Sequence, residues 1–452
     1  MYHKFSKLKF NLTHFQKFII LMTSIFYCHC ALAVYQNISK HYLLKPTGEY
    51  KVGFQDFRLV DGNLINSSYF CPGKSDLFYT PDTPTQIGNK NSFGEDNQID
   101  FCREIMVRVY YPSLNKYNKP NENYYFPAIK NLQESIGNTV SGISQKDLDD
   151  LKYIKTHSIR KSGIAKNTKF PVLIFAPGSG VLAQEYENIL EELASHGYIT
   201  VAINNTFIGS QISFPDGRLV QTALGSSSTT LKMADDTVLN DFLFVRNLLS
   251  NQSDENPLRK MITHMDLSHV GLFGHSIAGI SVVQSIRNQE NTNQIYQAAV
   301  SYDAPPVSFE SRAYSSEQLN GFKIPFMRLF GAEWRSLLIP GVPPEAQFQL
   351  LKDNYYALLS PSEEITNYTN HMSFSDDSTL QYQPTIKSFY DTYPGGNYLG
   401  TASGKDVAKI INSYTLQFFD QYLKGIPSKN LNSCFNIKIH DTESTLRCSD
   451  TN

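Results

Sequence analysis

The stretch Val270-Gly271-Leu272-Phe273-Gly274-His275-Ser276-Ile277-Ala278-Gly279 restricts this chain more than any other. It begins as an apolar strand, turns sharply at Gly-His-Ser-Ile-Ala-Gly, and continues into Ile280-Ser281-Val282-Val283, which reads as helix. A strand, a tight Ser-bearing turn and a helix in that order form a nucleophile elbow. The turn lifts the Ser276 hydroxyl clear of the sheet, and the helix N-terminus offers free N–H groups to a developing oxyanion. Gly274 and Ala278 are the small residues two before and two after the Ser, with Gly279 behind. Ala278 stands where the usual motif has Gly. The competing reading is a plain strand–helix turn in a non-hydrolytic α/β domain.

Around this stretch, residues 169–305 alternate strand and helix. Phe170–Ala176 reads as a buried strand, and Gln184–His196 as a helix ended by Gly197. Tyr198–Ile203 is the next strand and Asp235–Leu249 a long helix. Ala298–Tyr302 is the strand after the elbow helix. Strands separated by helices imply βαβ units and a parallel sheet, hence an α/β fold of the α/β-hydrolase kind with helices on both faces. N-terminal strands precede it. One is centred on Tyr50–Val60; the other, Glu104–Tyr111, is expected to stop at Pro112. Beyond the elbow, Ile324–Phe330 reads as strand, Glu345–Leu359 as an aromatic helix and Val407–Tyr422 as a helix packed on the sheet.

The chain has 452 residues, 41% of them hydrophobic, enough for one large domain or two. A formal charge of -2, without long single-sign blocks, gives no electrostatic case for nucleic acid. Residues 1–33 read as a signal peptide. Lys4, Lys7, Lys9 and Lys17 precede the apolar run Phe18–Cys28, and Ala31-Leu32-Ala33 is an A-x-A cleavage signal. That run is shorter than the ~20 residues a membrane-spanning helix needs. The expected organisation is a single hydrolase domain over 34–427, with 113–168 either a cap over the site or plain surface, then a stapled tail over 428–452. Export, to the medium or a periplasm, follows. Cys71, Cys102, Cys434 and Cys448 would remain, an even number that suggests two disulfides. Three connectivities are open. Proximity favours Cys71–Cys102 and Cys434–Cys448.

A Ser hydroxyl attacks only when a His takes its proton and an acid holds that His in the right tautomer. The α/β-hydrolase chain order is Ser, then Asp or Glu, then His. Of eleven His, only His371 and His440 lie beyond both Ser276 and a plausible acid. His371, in Thr369-Asn370-His371-Met372-Ser373-Phe374-Ser375-Asp376, is the better placed of the two. Asp303, directly after one strand, and Glu333, after the next, are equal acid candidates on spacing alone. Asp353, Asp376 and Asp377 read as solvated acids. Pro177-Gly178-Ser179-Gly180 after the Phe170–Ala176 strand can present a second oxyanion donor beside the Ile277 amide. No H-E-x-x-H, P-loop or G-x-G-x-x-G motif supports a metal or nucleotide cofactor.

Several pieces together resemble the secreted platelet-activating factor acetylhydrolases, isoform II-like, and their bacterial relatives. They are Thr47–Gly53, Met106–Pro112, Pro171–Gly180, Leu193–Tyr198, Phe214–Arg218, the elbow, Ser301–Ala304 and Asn370–Asp376. The resemblance implies Asp303 as the acid and an oxyanion amide on Ser179. It also implies a serine esterase of phospholipase A2 type, acting on short or oxidised acyl chains of phospholipids. Pro177 departs from the His common there. A carboxylesterase or lipase of another ester class, or a non-catalytic hydrolase-fold binding protein, are the alternatives. The expected partners are an ester or phospholipid substrate and, through the aromatic helix near Glu345–Leu359, a lipid surface. Nothing in the sequence sets the oligomeric state.

Overall fold

A computed structural model describes residues 43–60, 103–114, 154–166, 168–222, 228–288, 295–304, 322–331, 355–359, 368–392, 398–432, 437–439 and 442–448. All of them lie in the unit Leu43–Asn452. The proposed leader, Cys71, Cys102, Glu333, Cys434 and His440 fall outside the described residues, as does most of the segment 113–168.

The strands are β1 (Lys51–Val60), β2 (Glu104–Ser113), β3 (Ile159–Arg160), β4 (Phe170–Ala176), β5 (Ile199–Asn204), β6 (Gln211–Ser213), β7 (Leu219–Gln221), β8 (Met265–His275), β9 (Ala298–Tyr302), β10 (Phe326–Phe330), β11 (Tyr355–Leu359), β12 (Lys438–Ile439) and β13 (Thr442–Cys448). The main helices are α1 (Glu187–Ser195), α2 (Ser228–Ser250), α3 (Ile277–Asn288) and α4 (Gly404–Leu423). The large sheet runs β12-β13-β11-β10-β9-β8-β4-β5-β2-β1-β3, and β6 and β7 form a separate hairpin. From β5 to β11 every neighbouring pair is parallel. β2 joins β5 and β1 antiparallel, and β13 closes on β11 antiparallel. This is the mixed, mostly parallel sheet of an α/β-hydrolase.

Period-two alternation builds the two cores. Along β4, Val172 and Ile174 face one side, with Val238, Phe242 and Val245 of α2 and Val282, Val283 and Ile286 of α3. Leu173 and Phe175 face the other, with Ile189, Leu190 and Leu193 of α1 and Ile410, Tyr414 and Phe418 of α4. Both sets are fully buried, which is why β4 reads as a continuous apolar run. Each such aliphatic side chain contributes about 1.5–3 kcal/mol by leaving water.

Some boundaries differ from the expectations. β2 runs through Pro112 to Ser113 instead of stopping. Its pairing with β5 covers Met106–Tyr110, so Pro112 lies beyond the β5 ladder and its missing N–H costs no bond there; its carbonyl accepts the Ala165 amide at 2.8 Å. Residues 355–359 are a strand, not the end of an aromatic helix. Tyr355-Tyr356 suits a pleated surface, and the segment slots between β10 and β13. The end of the proposed lipid-facing helix is therefore sheet. The C-terminal segment supplies the sheet's edge strands β12 and β13.

Candidate active site

The elbow is built by close approach. A Cβ at Gly274 would meet the Ala278 carbonyl oxygen at 2.8 Å and its Cβ at 2.9 Å, because α3 folds straight back over β8. A Cβ at Gly279 would meet Ala304 Cβ at 2.6 Å. Ala278 itself is fully buried and carries its methyl without difficulty. The required small residues are thus Gly274 and Gly279. Ser276 takes φ +58°, a left-handed conformation that holds the side chain at the crest of the turn. Its amide donates to Tyr302 O at 2.9 Å, and its carbonyl accepts from Ile280 at 3.2 Å.

Asp303 follows β9, also left-handed at φ +44°, with its amide donating to Leu329 O at 2.7 Å. It is completely buried. One carboxylate oxygen accepts the Gly331 amide at 2.7 Å and the other meets His371 Nδ1 at 2.6 Å. His371 Nε2 lies 3.0 Å from Ser276 Oγ. A single imidazole thus links the buried carboxylate to the elbow hydroxyl.

His371 opens the 3₁₀ turn His371–Phe374. That turn is tied down on several sides. Met372 N–H donates to Tyr398 O at 2.8 Å, and Ser373 Oγ donates to Leu399 O at 2.6 Å. Farther along, Asp376 is buried, not solvated as the sequence suggested. Its two oxygens accept the Glu187 and Asn188 amides, at 2.5 and 3.0 Å, at the first turn of α1. A carboxylate there matches the helix dipole and satisfies donors the helix cannot. Its acidic neighbour Asp377 accepts a hydrogen bond from Tyr390 Oη at 2.6 Å.

The oxyanion candidates lie in the loop after β4 and at the first residue of α3. Gly178 backs onto the elbow so closely that a Cβ there would lie 3.0 Å from Ser276 Cβ. Ser179 is exposed just beyond it, and the Gly180 amide pins the loop by donating to Ile208 O at 2.8 Å. Ile277 is the first residue of α3, so its N–H has no carbonyl one turn back.

Two side chains at the site were not read from the sequence. His275 is fully buried, with Nδ1 2.6 Å from Tyr186 Oη. Its ring packs against that of His371 at 4.6 Å between centroids. Burial, with the neighbouring His371, holds its pKa well below the ordinary imidazole range, so it is neutral. Only its place beside Ser276 hinted at this; Tyr186 lay in what read as ordinary helix. His275, Asp303 and His371 also bring ligand-type atoms within 4.8 Å of one another. The Asp303–His371 bond already occupies the facing pair of those atoms.

Residues 78–206 match the model of the family "Platelet-activating factor acetylhydrolase, isoform II". Over those residues this chain is similar to the platelet-activating factor acetylhydrolases, isoform II. The platelet-activating factor acetylhydrolase of Canis lupus familiaris is 23% identical over 255 residues, 49% of this chain and 54% of that one. The Cavia porcellus protein of the same name is 25% identical, over 44% of this chain and 49% of that one. A probable 1-alkyl-2-acetylglycerophosphocholine esterase of Arthroderma benhamiae is 23% identical, over 49% and 56%. The chain spans about half the length of the curated relatives it matches. Among solved structures, a ferulic acid esterase from Streptomyces cinnamoneus superposes with a TM-score of 0.60 at 22% identity, covering 87% of this chain and 96% of that one. That likeness concerns the fold: both chains are built on the α/β-hydrolase sheet.

Proposed function

We propose that this chain is a serine esterase that cleaves carboxylic esters, with Ser276 as nucleophile, His371 as general base and acid, and Asp303 as the orienting carboxylate. The observation that carries the reading is His371 reaching Ser276 Oγ at 3.0 Å and Asp303 Oδ2 at 2.6 Å with opposite ring nitrogens.

In the first half-reaction His371 Nε2 accepts the Ser276 proton as Oγ bonds to the ester carbonyl carbon. The carbonyl oxygen becomes an oxyanion, held by the Ser179 and Ile277 amides. Asp303 keeps the Nδ1 proton in place and offsets the charge on the imidazolium. The C–O bond then breaks, the alcohol leaves with the proton from Nε2, and the acyl group stays on Ser276. Water, deprotonated by His371, frees the acid and restores the hydroxyl.

The relatives' names point to a substrate with a short acyl group on a glycerophospholipid. The finer reading is hydrolysis of short or oxidised acyl chains of phospholipids, of phospholipase A2 type, by an exported protein. The test compares purified wild type and Ser276→Ala on acetyl, butyryl and long-chain p-nitrophenyl esters and on 2-acetylated glycerophosphocholine. The expected result is a preference for short chains, cleavage of the phospholipid and loss of all turnover in Ser276→Ala. Activity confined to long-chain or aromatic esters would replace the phospholipid reading with another ester class. A wild type inert to every ester and to a fluorophosphonate would leave a non-catalytic binding protein.

A further inference from the structure

Tyr186 and His275 have no part in the reaction as written, yet they are buried against the residue that carries it. Tyr186 sits in the short 3₁₀ turn Ala183–Tyr186 that leads into α1. It is fully buried, with its ring 4.9 Å from Phe175 of β4. Burial and the nearby Glu185 push its pKa well above the usual phenol range, so its proton stays on. The Gly178 backbone, in the loop that would hold the oxyanion, lies against the same hydroxyl. The tyrosine proton therefore goes to His275 Nδ1, 2.6 Å away.

His275 in turn fills the space behind the 3₁₀ turn that begins at His371. Side chains three apart in a 3₁₀ helix stack over one another, and here they are His371 and Phe374. Both rings pack on the His275 imidazole, with centroids at 4.6 and 5.7 Å and interplanar angles of 37° and 23°. Phe374 continues onto Tyr302 of β9 at 5.7 Å.

We infer that Tyr186 and His275 act as one positioning unit, in which the Tyr186 hydroxyl pins the His275 ring and that ring backs His371 in the orientation that faces Ser276. The inference rests on the proposed role of His371. Asp303 fixes one edge of the His371 ring, but rotation about its terminal torsion is soft for an imidazole. A flat wall on the ring face removes that freedom. The wall must carry no charge, because His371 becomes cationic during turnover and a second cation would oppose it. A neutral imidazole meets this need. It also accepts the buried Tyr186 proton, which phenylalanine at 275 would leave without a partner.

The test is a double-mutant cycle on the full chain with a short-chain p-nitrophenyl ester. Tyr186→Phe deletes one oxygen. His275→Asn keeps an acceptor near Nδ1 but removes the ring. Active sites are counted by fluorophosphonate titration, so that unfolded protein does not enter kcat. Each single variant is expected to lower kcat about tenfold with KM within twofold, short of the ~10²-fold that a 1 Å misplacement can cost. The double variant is expected to be no worse than twofold below the weaker single. Wild-type kcat per active site in Tyr186→Phe would overturn the inference. Losses that multiply in the double variant, or that appear in KM alone, would overturn it as well. Those results leave the proposed function intact. A wild type that neither cleaves the ester nor reacts with the fluorophosphonate removes that function, and the inference with it.

Discussion

Gly331 donates its amide to one oxygen of Asp303 at 2.7 Å while His371 takes the other at 2.6 Å. The next strand's end thus helps aim the carboxylate that follows β9. A Cβ on Gly331 would also crowd the Asn370 backbone at 3.3 Å, one residue before His371. The acid, its amide donor and the histidine turn are therefore packed as one body.

Asp303→Asn should test the carboxylate with little change of shape. An amide cannot hold the Nδ1 proton in the required tautomer while accepting from Gly331. We expect kcat to fall about 10³–10⁴-fold, with fluorophosphonate labelling slowed to match. Steady-state rates on a butyryl ester read the effect. Near-wild-type turnover would transfer the acid role to another residue, and Glu333→Gln made alongside would identify it.

Gly274→Ala should damage the elbow more than the added methyl suggests. The new Cβ would lie 2.8 Å from the backbone of Ala278, which has no flexible end to move aside. The strand–helix angle must open, at about 1–3 kcal/mol, and Ser276 moves with it. Urea denaturation should show the loss of stability, and ester turnover should fall beyond it. An Ala278→Gly variant should stay close to wild type in activity, because that methyl is already accommodated.

Asp376→Ala should loosen the histidine turn from α1. The Glu187 and Asn188 amides, now accepted at 2.5 and 3.0 Å, would be left in a buried position. The cost is about 2 kcal/mol, combining a lost cap and unpaired donors. Equilibrium unfolding measures it. Because the turn that carries His371 ends two residues before Asp376, kcat should drop too, whereas a cap elsewhere on the surface would change stability alone.

Asp235 should make stability fall toward alkaline pH. It is a residue of α2 bonded across to α3, to Ser281 Oγ at 2.7 Å and Gln284 Nε2 at 2.5 Å. Burial pushes its pKa up to about 7 from an ordinary 3.8, against those two bonds. The folded value is raised, so the folded protein holds this proton more tightly than the unfolded chain. The contribution is fully present below pH ~4 and is lost as pH rises through about 7. Between pH 5 and 8 the loss is on the order of 2 kcal/mol. Asp235→Asn should flatten that part of the stability–pH curve, as followed by thermal melts. An unchanged slope in the variant would assign the proton elsewhere.

The local order of residues 270–283 was enough to specify a strand, a strained turn and a helix. Continuous apolar runs such as 170–176 were enough to specify a buried parallel sheet, since a strand covered on both faces is apolar at successive positions. Chain order narrowed the histidines to two, because each hydrolase strand delivers its loop to the same edge. Composition could not place Tyr355–Leu359. Aromatic segments suit a helix or a strand until a neighbour is known, and here β10 and β13 supply two strands to pair with. Nor could sequence tell Asp376 from a surface acid, since its partners, Glu187 and Asn188, lie 189 and 188 residues away. The same holds for Tyr186 and His275, 89 residues apart. Short-range pattern fixes what each segment becomes because backbone geometry and burial act over a few residues. Which side chains finally meet was decided by the packing of distant segments, where a single hydrogen bond depends on tenths of an ångström that no local pattern encodes.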